Sequence, residues 1–68
     1  GFVPEVGNVY EIIYCDTKNN MSQRHIQVIG MNGHLIKAYC YSRKQMRLFA
    51  VENILSWKLI KRASREVL

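Results

Sequence analysis

Arginine and tyrosine side chains carry the clearest chemical signal in this sequence. Arg24 and Arg47 are expected to share one face of neighbouring strands with Tyr14, while Arg43 and Lys44 fall in a polar loop beside them. Two guanidinium groups on rigid strands hold a phosphate or carboxylate through paired hydrogen bonds. A tyrosine adds a hydroxyl donor or a face on which a base stacks. These residues predict a site for an anion.

Each of these features also has a structural interpretation, which stays open. Arginine stems often cover the end of a core while their charged heads stay in water, or they pair with a carboxylate such as Asp16 or Glu52. Tyr39 alternates with Tyr41 and Lys37 on the expected outer face of one strand. That pattern suits either base stacking beside positive charge or a packed pair on a solvated surface.

The histidines and cysteines predict neither a metal site nor a disulfide. Cys15, His25, His34 and Cys40 show none of the short paired spacings of zinc sites, and strand alternation places the two cysteines on opposite faces. The acidic residues are scattered, and no base with an orienting carboxylate is expected beside Cys40. We therefore expect a protein that is not an enzyme and that has no cofactor.

Length and charge limit the classes of function. A chain of 68 residues suffices for one small domain. Ten Lys and Arg against five Asp and Glu give a net charge of +5, which favours an anionic partner such as nucleic acid or a nucleotide. The chain contains no apolar run of about 18 residues and no signal-peptide pattern, so we expect a cytoplasmic protein that does not enter a membrane.

The elements that position these residues are predicted to be strands. Residues 1–8 hold the only proline and are expected to be a lead-in or linker, and apolar and polar residues then alternate with a period of two. The expected strands are Val9–Asp16, Ser22–Gly30, His34–Tyr41, Met46–Val51 and Ile54–Ile60, with a 3₁₀ turn at Glu52–Asn53 and a basic tail over 61–68. This order predicts an all-β domain over 9–60, a small five-stranded antiparallel barrel of the SH3-like or Sm-like kind.

Matching the apolar faces across each hairpin predicts the register. The expected rows are Tyr10, Val28, Ile36 and Val51; then Ile12, Ile26, Ala38 and Phe49; then Tyr14, Arg24, Cys40 and Arg47. The first two rows are apolar and predict the core, to which Trp57 adds from the last strand. The third row lies on the same face at one end of the sheet, where two arginines flank a cysteine.

The segment from Tyr10 to about Leu59 resembles a known family. It contains Ile12-Ile13-Tyr14, then Ser22-Gln23-Arg24-His25-Ile26, then Ala38-Tyr39-Cys40, then Arg43, and finally Arg47-Leu48-Phe49 before Ile54. In combination these motifs resemble a WYL domain, an Sm-like β-barrel of bacteria. Four features depart from that pattern, and two of them are the missing proline after the second-strand arginine, with Val28 near its place, and the missing glycine of the first turn. His34-Leu35-Ile36 replaces the Trp-Tyr-Leu that names the family, and Asn53 stands where an arginine is often found.

The resemblance implies a ligand-sensing module of bacterial transcription regulation or phage defence. WYL domains are viewed as binding nucleic acid or a nucleotide at basic residues, which here are Arg24, Arg43 and Arg47 beside Tyr14 and Tyr39. The expected function is therefore non-enzymatic binding of an anionic ligand, such as single-stranded nucleic acid or a nucleotide. The alternative is a protein-interaction or self-association module that pairs its edge strands with a partner.

Overall fold

The computed structural model describes residues 2–64, and these residues are all-β. The five strands are β1 Val9–Cys15, β2 Met21–Asn32, β3 Leu35–Cys40, β4 Gln45–Ala50 and β5 Ile54–Lys61, with a 3₁₀ turn Val51–Asn53 between β4 and β5. The predicted fold class, its five antiparallel strands and its 3₁₀ turn are confirmed. The described residues contain no helix that is long and apolar enough to cross a membrane.

The strands form one sheet in the order β4-β3-β2-β1-β5. Residues 21–27 of β2 pair with β1, and residues 26–32 pair with β3, so β2 is shared between the two halves of the sheet. No ladder joins β4 to β5 within residues 2–64, so closure of the expected barrel is not confirmed. Side chains still meet across the core, since the rings of Tyr14 and Phe49 lie 5.0 Å apart between centroids.

The alternation of apolar residues correctly predicts most of the core. The buried apolar residues are Tyr10, Ile12, Ile26, Val28, Ile36, Ala38, Cys40, Phe49 and Ile54. Val51 was expected in a core row but is 38% exposed, because it begins the 3₁₀ turn instead of ending a strand. Trp57 packs against the core with its ring edge-on to Tyr10, whereas Leu55 is exposed at a bulge in the β1–β5 pairing.

The predicted register is wrong by two residues in each of the three hairpins. Tyr10 pairs with Ile26 rather than Val28, and Val28 pairs with Ala38, while Ile36 pairs with Phe49. A shift of two residues keeps every side chain on its own face of the sheet. The core prediction therefore survives an incorrect register.

The first turn shows the cause of the shift in the first hairpin. An Asp16 carboxylate oxygen accepts hydrogen bonds from the backbone N–H groups of Lys18 (2.8 Å) and Asn20 (2.9 Å). Asn19 adopts a left-handed conformation with φ of 65°. Asp16 thus opens the five-residue loop and ends β1 at Cys15, one residue earlier than predicted.

The other two turns also begin and end at positions that alternation does not reveal. Gly33, with φ of 61°, and His34 connect β2 to β3 directly, and a bulge between Val28 and Gly30 shifts the β2–β3 pairing by one further residue. The turn from β3 to β4 spans residues 41–44 and includes Lys44 at φ of 52°. Beyond the bulge Met31 pairs with the buried Ile36 and is itself 48% exposed.

Residues 2–8 lie against the sheet. Gly7 donates a backbone hydrogen bond to the carbonyl of Val28 at 2.7 Å. Asn8 is buried, and its side-chain oxygen Oδ1 accepts the N–H of Ala63 at 2.8 Å, while its side-chain Nδ2 donates to the Tyr10 hydroxyl at 3.2 Å. Lys61, where the predicted basic tail begins, is the last residue of β5. Residues 65–68 of that tail lie outside the described residues.

Candidate anion-binding site

The four residues predicted to share one row lie on four successive rows. Each row is identified by its residue in β2. Tyr14 lies on the row of Ser22, and Arg24 is itself in β2, two residues further along. Cys40 lies on the row of Ile26, and Arg47, through Ala38, on the row of Val28. Arg24 and Arg47 are thus four residues apart along the strand direction, or about 13 Å at the usual rise. The expected pairing of these two arginines across one row is wrong, because the shifts of the β2–β3 and β3–β4 hairpins add up between β2 and β4.

Arg24 is half-buried and its guanidinium is only partly satisfied. Nε donates to the hydroxyl of Ser22 at 3.0 Å, and the guanidinium carbon lies 5.7 Å from the centroid of the Phe49 ring. The Nη1 nitrogen is buried and has no hydrogen-bond partner within the described residues. Tyr14 packs edge-on against the same Phe49 ring. The site therefore holds a rigidly placed cation with a donor that the described residues do not use.

The neighbouring Cys40 lies among several hydrogen-bond donors. Its side chain is fully buried, and Sγ lies 3.4 Å from the Ser42 hydroxyl. Burial raises the pKa of the Cys40 thiol, but the Ser42 hydroxyl, the Arg43 N–H and the nearby Arg24 guanidinium, which favour the thiolate, lower it by more. The pKa therefore lies below its ordinary value of 9.0. This end of the sheet favours negative charge.

An open hollow of about 390 Å³ adjoins this cluster. It is lined by Glu11, Gln23, Arg24, His25, Tyr41 and Ser42. The β2–β3 ladder ends here, since Tyr41 donates its N–H to the His25 carbonyl at 3.0 Å and the chain then turns away from β2. Arg43 and Lys44 follow in that turn and are exposed. The hollow thus joins the partly buried Arg24 to an exposed basic turn.

An ion pair forms the acidic part of the rim. Glu11 lies 2.9 Å from Nε2 of His25, and a hydrogen bond from Gln23, followed by one from His25, lowers the pKa of the Glu11 carboxyl. Glu11 therefore stays ionised at neutral pH. The negative charge of Glu11 disfavours an anion on this side of the hollow.

The carboxylates suggested as arginine partners are engaged elsewhere. Asp16 accepts hydrogen bonds within its own loop, and the N–H of Asn20 is the main cause that lowers its pKa. Glu52 lies 3.0 Å from Nδ1 of His34. Residues 2–64 contain no salt bridge that involves Arg24 or Arg47. The structural alternative of an arginine neutralised by Asp16 or Glu52 is not found in this part of the chain.

The structure brings together some of the predicted site residues and separates others. Arg24, Arg43 and Lys44 share one end of the sheet, with Tyr14 beneath them against Phe49. Arg47 lies on the row of Ala38, away from the hollow. Tyr39 is half-buried opposite Gln27 and does not line the hollow. Its ring packs on that of Tyr41, with centroids 5.2 Å apart, and Tyr41 is the tyrosine that lines the hollow.

Sequence reasoning missed three residues that shape the site. Ser22 and Ser42 contact Arg24 and Cys40, and Phe49 supports the guanidinium. The signal for Ser22 was present in the turn, because placing Asp16 as the first loop residue puts Ser22 beside Tyr14. No local signal places Phe49 there, since that contact depends on the curvature of the sheet.

The hollow is lined by one guanidinium, that of Arg24, one carboxylate, that of Glu11, and the ring of Tyr41. Residues 2–64 contain no group of three or more His, Cys, Asp or Glu that could hold a metal ion. The exposed Arg43 and Lys44 directly follow Ser42 of the lining in the chain, and the buried Nη1 of Arg24 has no partner among the described residues. No protein-family model, curated protein or solved structure matches this chain.

Proposed function

We propose that this chain is a non-enzymatic module that binds an anionic ligand, single-stranded nucleic acid or a nucleotide, at Arg24, Arg43 and Lys44. The observation that carries the proposal is the buried Nη1 of Arg24, which has no partner in residues 2–64. A buried donor left without a partner costs about 1–3 kcal/mol. Because Nη1 is closed to solvent in the ligand-free chain, the Arg24 side chain must rotate towards the hollow before a phosphate oxygen supplies that partner through a charge-assisted hydrogen bond.

Three further features support this function. The net charge of +5 attracts polyanions, and Arg43 and Lys44 add exposed positive charge in the turn that follows Ser42 of the hollow's lining. The lowered pKa of Cys40 reflects donors that already favour negative charge at this place. Tyr41, which is 43% exposed, offers a face on which a base stacks. A role in bacterial transcription regulation or defence follows from the WYL resemblance alone and stays a prediction, as does the cytoplasmic location expected from the sequence pattern.

The test is an NMR titration of the ¹⁵N-labelled chain with an oligothymidylate of about ten nucleotides, repeated at low and moderate salt. We expect the shifts to cluster on Arg24, Ser42 and Arg43 and to fade with salt. The double variant Arg43→Gln/Lys44→Gln is expected to bind about tenfold more weakly, since it removes two phosphate contacts. The matched control Lys37→Gln/Lys61→Gln loses the same charge away from the hollow and is expected to retain affinity.

Two results would reject the proposal. If both double variants lose affinity equally, the oligonucleotide responds to net charge and not to a site. If the shifts fall on Lys61 and Arg62 alone, the β5 end and not the hollow contacts the ligand. Titration with a mononucleotide distinguishes the two ligand classes. If a mononucleotide moves the same resonances as the oligothymidylate, one phosphate site is sufficient for binding and no extended groove is needed.

Protein interaction through an edge strand is a second candidate function. The specific observation is that β4 and β5 are the two edges of the sheet and carry exposed apolar side chains, among them Met46, Leu48, Leu55 and Ile60. Unpaired edges with apolar residues are templates for another strand. Light scattering of the ligand-free chain tests the self-association form of this function, for which a concentration-dependent increase in mass is expected.

A further inference from the structure

The open edge of β4 presents a defined set of backbone groups. Val51 donates its N–H to the His34 carbonyl at 2.8 Å, which continues the β3–β4 register by one pair. Because an antiparallel ladder alternates, Met46, Leu48 and Ala50 direct their N–H and C=O groups away from β3. The Ala50 N–H agrees with this, since it donates to the Tyr14 hydroxyl at 3.4 Å. Within residues 2–64, the outward groups of Met46 and Leu48 have no such partner.

The side chains along this edge alternate in character. Met46 and Leu48 lie on the outer face and are 44% and 62% exposed. Arg47 lies between them on the other face, is half-buried, and takes part in no salt bridge of the described residues. A strand added at this edge therefore lies beside the apolar Met46 and Leu48 on the outer face and beside the cationic Arg47 on the other face.

The outer surface beside this edge is grooved and lacks acidic residues. Two hollows, of about 320 and 130 Å³, share Lys37 and Leu48. Met31 and Leu35 line the larger hollow, and no Asp or Glu lines either of them. The surface therefore suits apolar side chains that are accompanied by negative charge.

We propose that β4 accepts, as an added strand, an extended segment of another protein in which apolar and acidic side chains alternate. The segment bonds to the backbone of Met46 and Leu48, sets apolar side chains against theirs, and places a carboxylate beside Arg47. This inference rests on the second candidate function and names its partner. It does not depend on the anion site at Arg24.

A second copy of the chain fits the edge less well. Antiparallel pairing of two β4 strands centred on Arg47 sets one guanidinium opposite the other, which is destabilising. Pairing β4 with β5 of another copy brings Arg47 and Lys37 towards Lys58 and Lys61. Both arrangements also join two chains of net charge +5. An acidic segment meets the same edge with charge of opposite sign.

The experiment uses the whole chain and two blocked peptides. One has the sequence Thr-Val-Glu-Val-Glu-Val-Thr, and the matched peptide carries lysine in place of each glutamate. We expect the acidic peptide to bind about tenfold more tightly, as opposite-charge and like-charge cross-strand pairs differ by roughly that factor. Amide hydrogen exchange is expected to slow at Met46 and Leu48 when the acidic peptide is present. The Phe49 amide, bonded to β3, is expected to be protected in both states.

A charge-reversal variant and a matched control decide the assignment. Arg47→Glu is expected to reverse the preference between the peptides, whereas Lys58→Glu, the same change on the other edge strand, is expected to leave it unchanged. The proposal is overturned if both peptides bind wild type equally, or if protection appears on β5. It is also overturned if Met46 and Leu48 become protected in the free chain as its concentration rises, which identifies a second copy as the occupant. The Arg43 resonance monitors the anion site separately in each sample.

Discussion

Replacing Arg24 with methionine is expected to leave the fold stable and to abolish most anion binding. Arg24→Met keeps a long, flexible side chain over the Phe49 ring, where the guanidinium carbon now lies 5.7 Å from the centroid. It removes the charge, the hydrogen bond to Ser22 and the buried Nη1 donor together. The variant therefore separates what Arg24 does for stability from what it does for a ligand.

The magnitude follows from three contributions. The lost hydrogen bond to Ser22 costs about 1 kcal/mol, and the lost contact of the cation with the ring costs about another 1 kcal/mol. Removing a buried donor that has no partner returns about 1–3 kcal/mol. The free energy of unfolding is therefore expected to change by no more than about 1 kcal/mol in either direction. Affinity for an anion is expected to fall about tenfold or more, because a charge-assisted hydrogen bond contributes about 1.5–3 kcal/mol.

Urea unfolding followed by Trp57 fluorescence measures the first quantity, and the oligothymidylate titration measures the second. Phe49→Ala serves as the reference for a structural loss, since truncating a fully buried phenylalanine costs about 3–5 kcal/mol. A destabilisation of Arg24→Met beyond about 2 kcal/mol would show that the guanidinium supports the fold. Unchanged affinity would show that its free donor is not the ligand's contact.

Two further perturbations test the segment at Gly7, before β1, and the Asp16 loop between β1 and β2. Gly7→Ala is expected to lower the free energy of unfolding by about 1–2 kcal/mol or more, because Gly7 has φ of +92° and an added Cβ would lie 2.7 Å from the Cβ of Ala63. Gly30→Ala is the control, since an added Cβ there has no atom within 4 Å. The pKa of Asp16 is lowered from 3.8, chiefly by the N–H of Asn20, so the folded state binds protons less readily than the unfolded state and stability falls as pH drops through the folded pKa. Asp16→Asn is expected to weaken that acid dependence. The urea midpoints of wild type and variant, each measured near pH 7 and near pH 3, test this. An equal fall of the midpoint in both proteins would contradict it.

The core illustrates what alternation predicts well. Ile12, Ile26, Ala38 and Phe49 were assigned to the interior from period-two patterning, and all four are buried. They are nevertheless not neighbours in one row, since Ile12 pairs with Arg24 and Ala38 pairs with Arg47. Face and row are separate properties of a strand residue, and the apolar pattern constrains only the first.

The candidate site was predicted in part for the same reason. Arg24 was recognised as a partly buried cation at the end of the core, and Arg43 and Lys44 as a basic turn. Arg47 was placed beside them only by the assumed register, which is displaced by two residues in the β2–β3 ladder and again by two in the β3–β4 ladder. Tyr41 was assigned to an outer surface stripe, because nothing in the alternation shows that the chain leaves the β2 ladder after it.

The sequence by itself determined that this protein is all-β, which face of the sheet most core side chains occupy, and that the chain is cationic. These properties depend on local alternation and composition, which no shift of two residues alters. Only the tertiary structure decided which side chains are neighbours. Turn dihedrals and bulges set the rows, and the curvature of the sheet carries Phe49 of β4 against Tyr14 of β1 and Arg24 of β2. A site built from several strands depends on all of these, because each hairpin adds its own offset to the one before.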